Sequence, residues 1–181
     1  AGDGNQPVPG WDGSHDWLGF VPFEEMPHRE NPPTGMLVNA NNRVQPDGAA
    51  PYLGRDWFGD WRFRRIWQLL DQRDRQSPQD FAVMQRDAVS LFAQEMLPVL
   101  RALPRPAGLA GTARDLLLSW DGSMAPDRPQ PLIFNAWWHE AARLALAHNG
   151  VPESGWPLKP EFLRFVLRPD GAGAHWCRPR A

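Results

Sequence analysis

The sequence predicts an α+β chain, mostly helical with a few short strands, on three observations. Residues 1–55 are punctuated by proline and glycine and carry little helical period. Inside them, "GFVPF" and "GMLVNA" are short apolar runs between breakers, the pattern of strands. From Asp60 onward the apolar residues recur every three or four positions, the spacing of helices with one buried face. The chain thus divides into a strand and loop part, residues 1–58, and a helical part, residues 59–181.

Each helix has its own signals. Asp60 is placed to cap a short helix whose stripe is Trp61, Arg65, Ile66, Leu69 and Leu70. Ser77 with Asp80 has capping-box spacing, and Pro78 suits the first helical position. One helix is expected behind it, with Phe81, Met84, Ala88, Leu91, Phe92, Met96, Leu100 and Leu103 on its apolar face. Thr112 with Asp115 opens a third, running to Trp120. "PLIFNAWWHEAARLALAHNG" is a fourth, stopped by Asn149 and Gly150. "KPEFLRFVLRP" is a fifth, with prolines near both ends. Two strands make no stable sheet alone, so they are expected to pair with strands outside these residues.

Composition narrows the function. The 181 residues are 42% hydrophobic and 22% charged, enough for a core and unlike a disordered chain. Nineteen basic against 21 acidic side chains leave a net charge of −2, without the basic footprint that nucleic-acid binding requires. No apolar run approaches the ~20 residues of a helical membrane span. The lone cysteine, Cys177, excludes an internal disulfide framework.

Most familiar chemistry is missing. His15, His28, His139, His148 and His175 show no zinc spacing, and "WHEAARLAL" lacks the second histidine of H-E-x-x-H. No serine sits in a G-x-S-x-G elbow, and no glycine-rich phosphate loop appears. Glu24 and Glu25 are adjacent, so on a strand they would face opposite ways and could not work as a pair. What remains is "NPPTGMLVNANNR", residues 31–43, with three asparagines at the end of an apolar run, and the arginines of "DWRFRRI". A turn would explain the amides. An amide held rigidly at a strand end could instead donate to a developing oxyanion, braced by an arginine fork. Periodicity favours the turn and leaves both open. A tryptophan-rich, non-catalytic binding or scaffold module, for carbohydrate for example, is the rival for the whole chain, given ten tryptophans.

These residues resemble the penicillin amidase family of penicillin, cephalosporin and acyl-homoserine-lactone acylases. The similarity is to the middle of that family's large, or beta, subunit. It is carried by the P-x-P-G turn at residues 7–10, the W-x-G-hydrophobic-x-P-F pattern at 17–23, N-P-x-x-G at 31–35, and the pair Asn41 and Asn42. It continues through "WRFRRI", "DFAVMQRDAVSLFAQEMLP", "SWDGSMAPDRPQPLIFNAWWHEAARLAL" and "FLRFVLRPDGAGAHWC", covering essentially the whole chain.

The resemblance implies a segment of an N-terminal nucleophile hydrolase, an αββα sandwich in which a precursor cleaves itself. It implies that a new N-terminal serine attacks an amide carbonyl, with its own α-amino group as base. Asn41 corresponds to the asparagine that supplies the side-chain half of the oxyanion hole. Arg62, or Arg65 if the gap is aligned differently, corresponds to the arginine that organises it. Ala1 cannot be the nucleophile, so the chain is expected to act with the alpha subunit and the remaining beta-subunit chain or chains, one beginning with serine. A shared structural calcium is implied, with Asp56 and the Gly4 carbonyl as loosely aligned ligands. Export to the periplasm is implied as well. Trp11, Trp17, Trp57, Trp61, Trp137 and Trp138 are expected to pack strands against helices rather than to hold ligand.

Overall fold

In a computed structural model, residues 6–152, 159–168 and 170–177 are described. Among them six α-helices follow one another: α1 (Trp61–Leu70), α2 (Pro78–Met84), α3 (Leu91–Ala102), α4 (Gly108–Leu118), α5 (Gln130–His148) and α6 (Pro160–Val166). The chain separates into two compact units, residues 1–63 and 64–181, the division falling inside α1.

The second unit holds most of the core. α5 is its longest helix and packs against α4 and α6, while α3 packs on α4. Phe134 of α5 is fully buried. Its ring stands 5.6 Å from Phe92 of α3, edge on, and 5.6 Å from Trp120. Trp138, one turn along, meets Phe92 edge to face at 5.8 Å. These arrangements suit the quadrupoles of aromatic rings. Burying the Trp120 indole requires a partner for its N–H, and Nε1 donates to the Ser123 carbonyl at 2.9 Å. Leu117, Leu146, Leu163 and Val166 complete the apolar contact. α5 ends as its sequence requires. Gly150 adopts φ 69°, and the N–H groups of Gly150 and Val151 return to the carbonyls of Ala147 and Leu146.

Two helix expectations are corrected. The apolar spacing from Phe81 to Leu103 does not make one helix: α2 stops at Met84 and α3 restarts at Leu91. Ser90 is the new N-cap, its Oγ accepting from the Ala93 N–H at 3.1 Å. The segment between them pairs with a second loop, Ser90 N–H to Gly122 carbonyl and Met124 N–H to Ala88 carbonyl, both 2.9 Å. That pairing takes backbone groups a continuous helix would have used. α4 opens at Gly108, not at Thr112, and Asp115 turns to Arg105, whose Nε donates to it at 2.9 Å. The capping box at α2 is present: Ser77 Oγ accepts from the Asp80 N–H, and Asp80 accepts from the Ser77 N–H.

The first unit is built from turns and extended chain. The expected strands "GFVPF" and "GMLVNA" do not form among the described residues; a 3₁₀ turn, Phe23–Glu25, begins on the last residue of the first. An extended segment becomes a strand only when a neighbouring segment takes its N–H and C=O groups in a ladder, and among the described residues no segment pairs with these two in that way. For the same reason the apolar side chains stand in the open: Trp17 is 92% exposed, Leu18 99% and Phe20 97%. Of the tryptophans expected to pack strands against helices, Trp61 and Trp138 are buried, Trp138 between helices rather than against a strand, while Trp11 and Trp17 are exposed.

Candidate functional site

The asparagine cluster is a turn, and its three amides have different tasks. Asn39 Oδ1 accepts from the Asn41 N–H at 2.9 Å. Asn42 Oδ1 accepts from the Ala40 N–H at 3.2 Å, and Asn42 Nδ2 donates to the Arg43 carbonyl at 3.0 Å. Two flanking side chains thus hold the main chain in a tight bend, the self-bonding habit of asparagine. Ala40 is buried at its centre. Asn41 sits at φ 60°, the left-handed region that asparagine tolerates better than most residues.

Asn41 itself points to Arg62, on the first turn of α1. Arg62 Nη2 donates to Asn41 Oδ1 at 2.9 Å and to the Ala40 carbonyl at 2.8 Å. A guanidinium has donors and no acceptor, so this contact fixes the amide orientation: oxygen inward, Nδ2 outward. Among the described residues Nδ2 has no partner, and Asn41 is exposed. Accepting from a cation also polarises the amide, which makes the outward N–H groups stronger donors. The unit presents a fixed, polarised N–H donor at its surface.

The sequence candidates divide accordingly. Asn41 and Arg62 are brought together. Arg65 is engaged elsewhere: Nε and Nη2 donate to the two Asp87 oxygens at 2.8 and 2.6 Å. The Arg65 guanidinium, against the opposing cost of burial, holds the Asp87 carboxyl below the usual range. Asp56 is exposed, and Gly4 lies outside the described residues. Calcium takes about six to eight oxygen ligands. Among the described residues no three or more His, Cys, Asp or Glu side chains gather where a metal could be held, so these side chains would not hold calcium by themselves. His139 lies against Trp138, ring centroids 3.8 Å apart, and Glu140 pairs with Arg143, as on an ordinary helix face.

One residue escaped the sequence reading. Phe58 donates its N–H to the Asn41 carbonyl at 3.0 Å, and the Arg62 Cζ lies 5.8 Å from the centre of its ring. Its spacing from Arg62, four residues, was the available signal, but Phe58 precedes the helix and belongs to no periodic stripe.

Comparison with known proteins places these residues in context. The family model described as penicillin amidase matches residues 1–180. The chain is 36% identical to a penicillin acylase 2 proenzyme of Pseudomonas sp. (strain SE83) over 82% of its own length and 19% of that protein. It is 30% identical to the acyl-homoserine lactone acylase QuiP of Pseudomonas putida over 91% of its length and 21% of that protein. It is 32% identical to a penicillin G acylase of Escherichia coli over 75% of its length and 17% of that protein. The chain thus spans about a fifth of the curated relatives it matches.

Proposed function

Since the chain belongs to the penicillin amidase family, we propose that it is one piece of an acylase that hydrolyses the amide bond of N-acylated compounds. The substrates proposed are β-lactams with an acylated side chain and N-acyl-homoserine lactones, after the enzymes that its relatives are named for. The nucleophile is an N-terminal serine on another chain of the same precursor, with its α-amino group as base. Attack on the amide carbonyl makes a tetrahedral oxyanion. Asn41 Nδ2 donates to that oxygen beside a backbone N–H from a partner chain, and Arg62 holds the Asn41 oxygen so that the nitrogen faces the charge. Collapse expels the amine and leaves an acyl-enzyme, which water hydrolyses through a second oxyanion at the same donors. A donor aimed at charge that exists only in the transition state raises kcat more than affinity.

The observation that carries this reading is the bond from Arg62 Nη2 to Asn41 Oδ1. It orients an otherwise unengaged amide as an outward donor, which a mere turn would not require. The alpha subunit and the remaining beta-subunit chains are the proposed partners, and the periplasm is the proposed location. Any calcium would draw most of its ligands from those partners, with Asp56 as one contributor, and no step of the reaction uses it. The test is hydrolysis of penicillin G and of an N-acyl-homoserine lactone by the complete enzyme and its Asn41→Ala variant. Loss of both activities with normal assembly supports the reading; near-normal turnover rejects it.

The rival, a tryptophan-rich binding module, draws on the exposure of Trp11 and Trp17. It requires a chain that is native without partners. Native mass spectrometry separates the two, because the acylase reading predicts co-purifying chains, one starting with serine.

A further inference from the structure

Residues 42–58 form a loop that leaves the asparagine turn and returns to it. The loop closes on one parallel bridge between Asn42 and Phe58, through the Phe58 N–H to the Asn41 carbonyl at 3.0 Å. The side chain of the same residue lies beside the Arg62 guanidinium, 5.8 Å from ring centre to Cζ. Phe58 therefore touches both members of the site, Asn41 through its main chain and Arg62 through its ring.

Packing within this chain does not account for an aromatic residue here, because Phe58 is 64% exposed in it. An exposed ring gains little from the hydrophobic effect. Its attraction for a cation, in contrast, depends on the ring's quadrupole and needs a face within about 6 Å. Arg62 donates to Ala40 and Asn41 through one nitrogen, Nη2. That leaves the guanidinium free to pivot about this nitrogen unless a second surface stops it. The ring is that surface.

We propose that Phe58 is a positioning residue for the oxyanion-hole amide, a π platform that fixes the Arg62 guanidinium so that Asn41 Nδ2 stays aimed at the substrate. The proposal rests on the reading of Asn41 given above. It predicts an effect on kcat, since the platform touches no substrate and acts only through the donor.

The experiment measures kcat and KM of the complete enzyme with Phe58→Leu, Phe58→Met, Phe58→Tyr and Asn41→Gly, and with Phe58→Leu placed in an Arg62→Met background. All five substitutions leave the residue-58 N–H in place. Phe58→Leu and Phe58→Met are expected to lower kcat about 3- to 30-fold, with KM within about twofold. Phe58→Tyr keeps the π face and is expected to retain kcat within about twofold. In the Arg62→Met background, Phe58→Leu is expected to add no further loss. Wild-type kcat in both apolar variants overturns the proposal. So does a Tyr variant as slow as Leu, or a Leu effect that persists undiminished without Arg62. If Asn41→Gly turns over normally, the oxyanion reading itself fails; if only the Phe58 results fail, that reading stands without the platform.

Discussion

The Oδ1 of Asn41 accepts a hydrogen bond from Arg62 Nη2 at 2.9 Å, across 21 residues of sequence. The bond turns a flexible carboxamide into a directional group, with its nitrogen outward. Its partners Asn39 and Asn42 are spent on the bend that carries it.

Replacing Asn41 tests the donor. Asn41→Ala in the complete enzyme is expected to lower kcat by ~10²-fold or more. Alanine at φ 60° also costs about 1 kcal/mol of backbone strain. Asn41→Gly removes the amide without that strain, so its thermal midpoint should fall less than that of Asn41→Ala while its kcat falls as far. Steady-state kinetics beside a thermal melt separates the two effects.

Arg62→Lys keeps the charge and loses the fork. A lysine ammonium is a point charge on a flexible stem and does not reproduce the planar contact with Ala40, Asn41 and Phe58. Weakening one charge-assisted bond by about 1.5 kcal/mol corresponds to roughly a tenfold fall in kcat. Little change in KM is expected, as measured on either substrate class.

Asp87 gives a pH dependence. Its carboxylate receives two Arg65 donors and the Val89 N–H, and the two side chains are 18% and 24% exposed. The folded-state pKa is depressed, chiefly by the Arg65 hydrogen bond. The contribution is therefore present above the unfolded value, near 4, and disappears as pH falls through the lower folded value. Asp87→Asn is expected to destabilise by about 1–3 kcal/mol at pH 7. Thermal midpoints of the two proteins should converge on acidification below about pH 4.

Phe134 is the packing test. It is fully buried between Phe92 and Trp120, so Phe134→Ala removes contacts that the surroundings cannot easily recover. A loss of about 3–5 kcal/mol is expected, seen as a lower thermal midpoint or reduced soluble yield.

What the sequence made legible was local. The capping box of Ser77 and Asp80 and the Asn149–Gly150 stop need only neighbouring residues, and both are present. The break between α2 and α3 was hidden because the apolar spacing continues through it; the partners that break it, Gly122 and Met124, lie more than thirty residues on. "GFVPF" has strand composition, yet pairing is a property of neighbours that composition does not supply. At the site, residue types and resemblance picked out Asn41 with either Arg62 or Arg65. The resemblance favoured Arg62 and kept Arg65 only for another alignment of the gap; that Arg65 turns to Asp87 shows only once α1 and the segment after α2 are in place. Phe58 carried no signal beyond its distance from Arg62.

The most direct measurement is a crystal structure of the complete enzyme carrying a boronic acid that mimics the tetrahedral intermediate on the nucleophilic serine. The account predicts Asn41 Nδ2 about 2.7–3.1 Å from the boronate oxygen that stands for the oxyanion, with Oδ1 still held by Arg62. An Asn41 side chain turned away from that oxygen, beyond about 4 Å and with another group donating in its place, would contradict it.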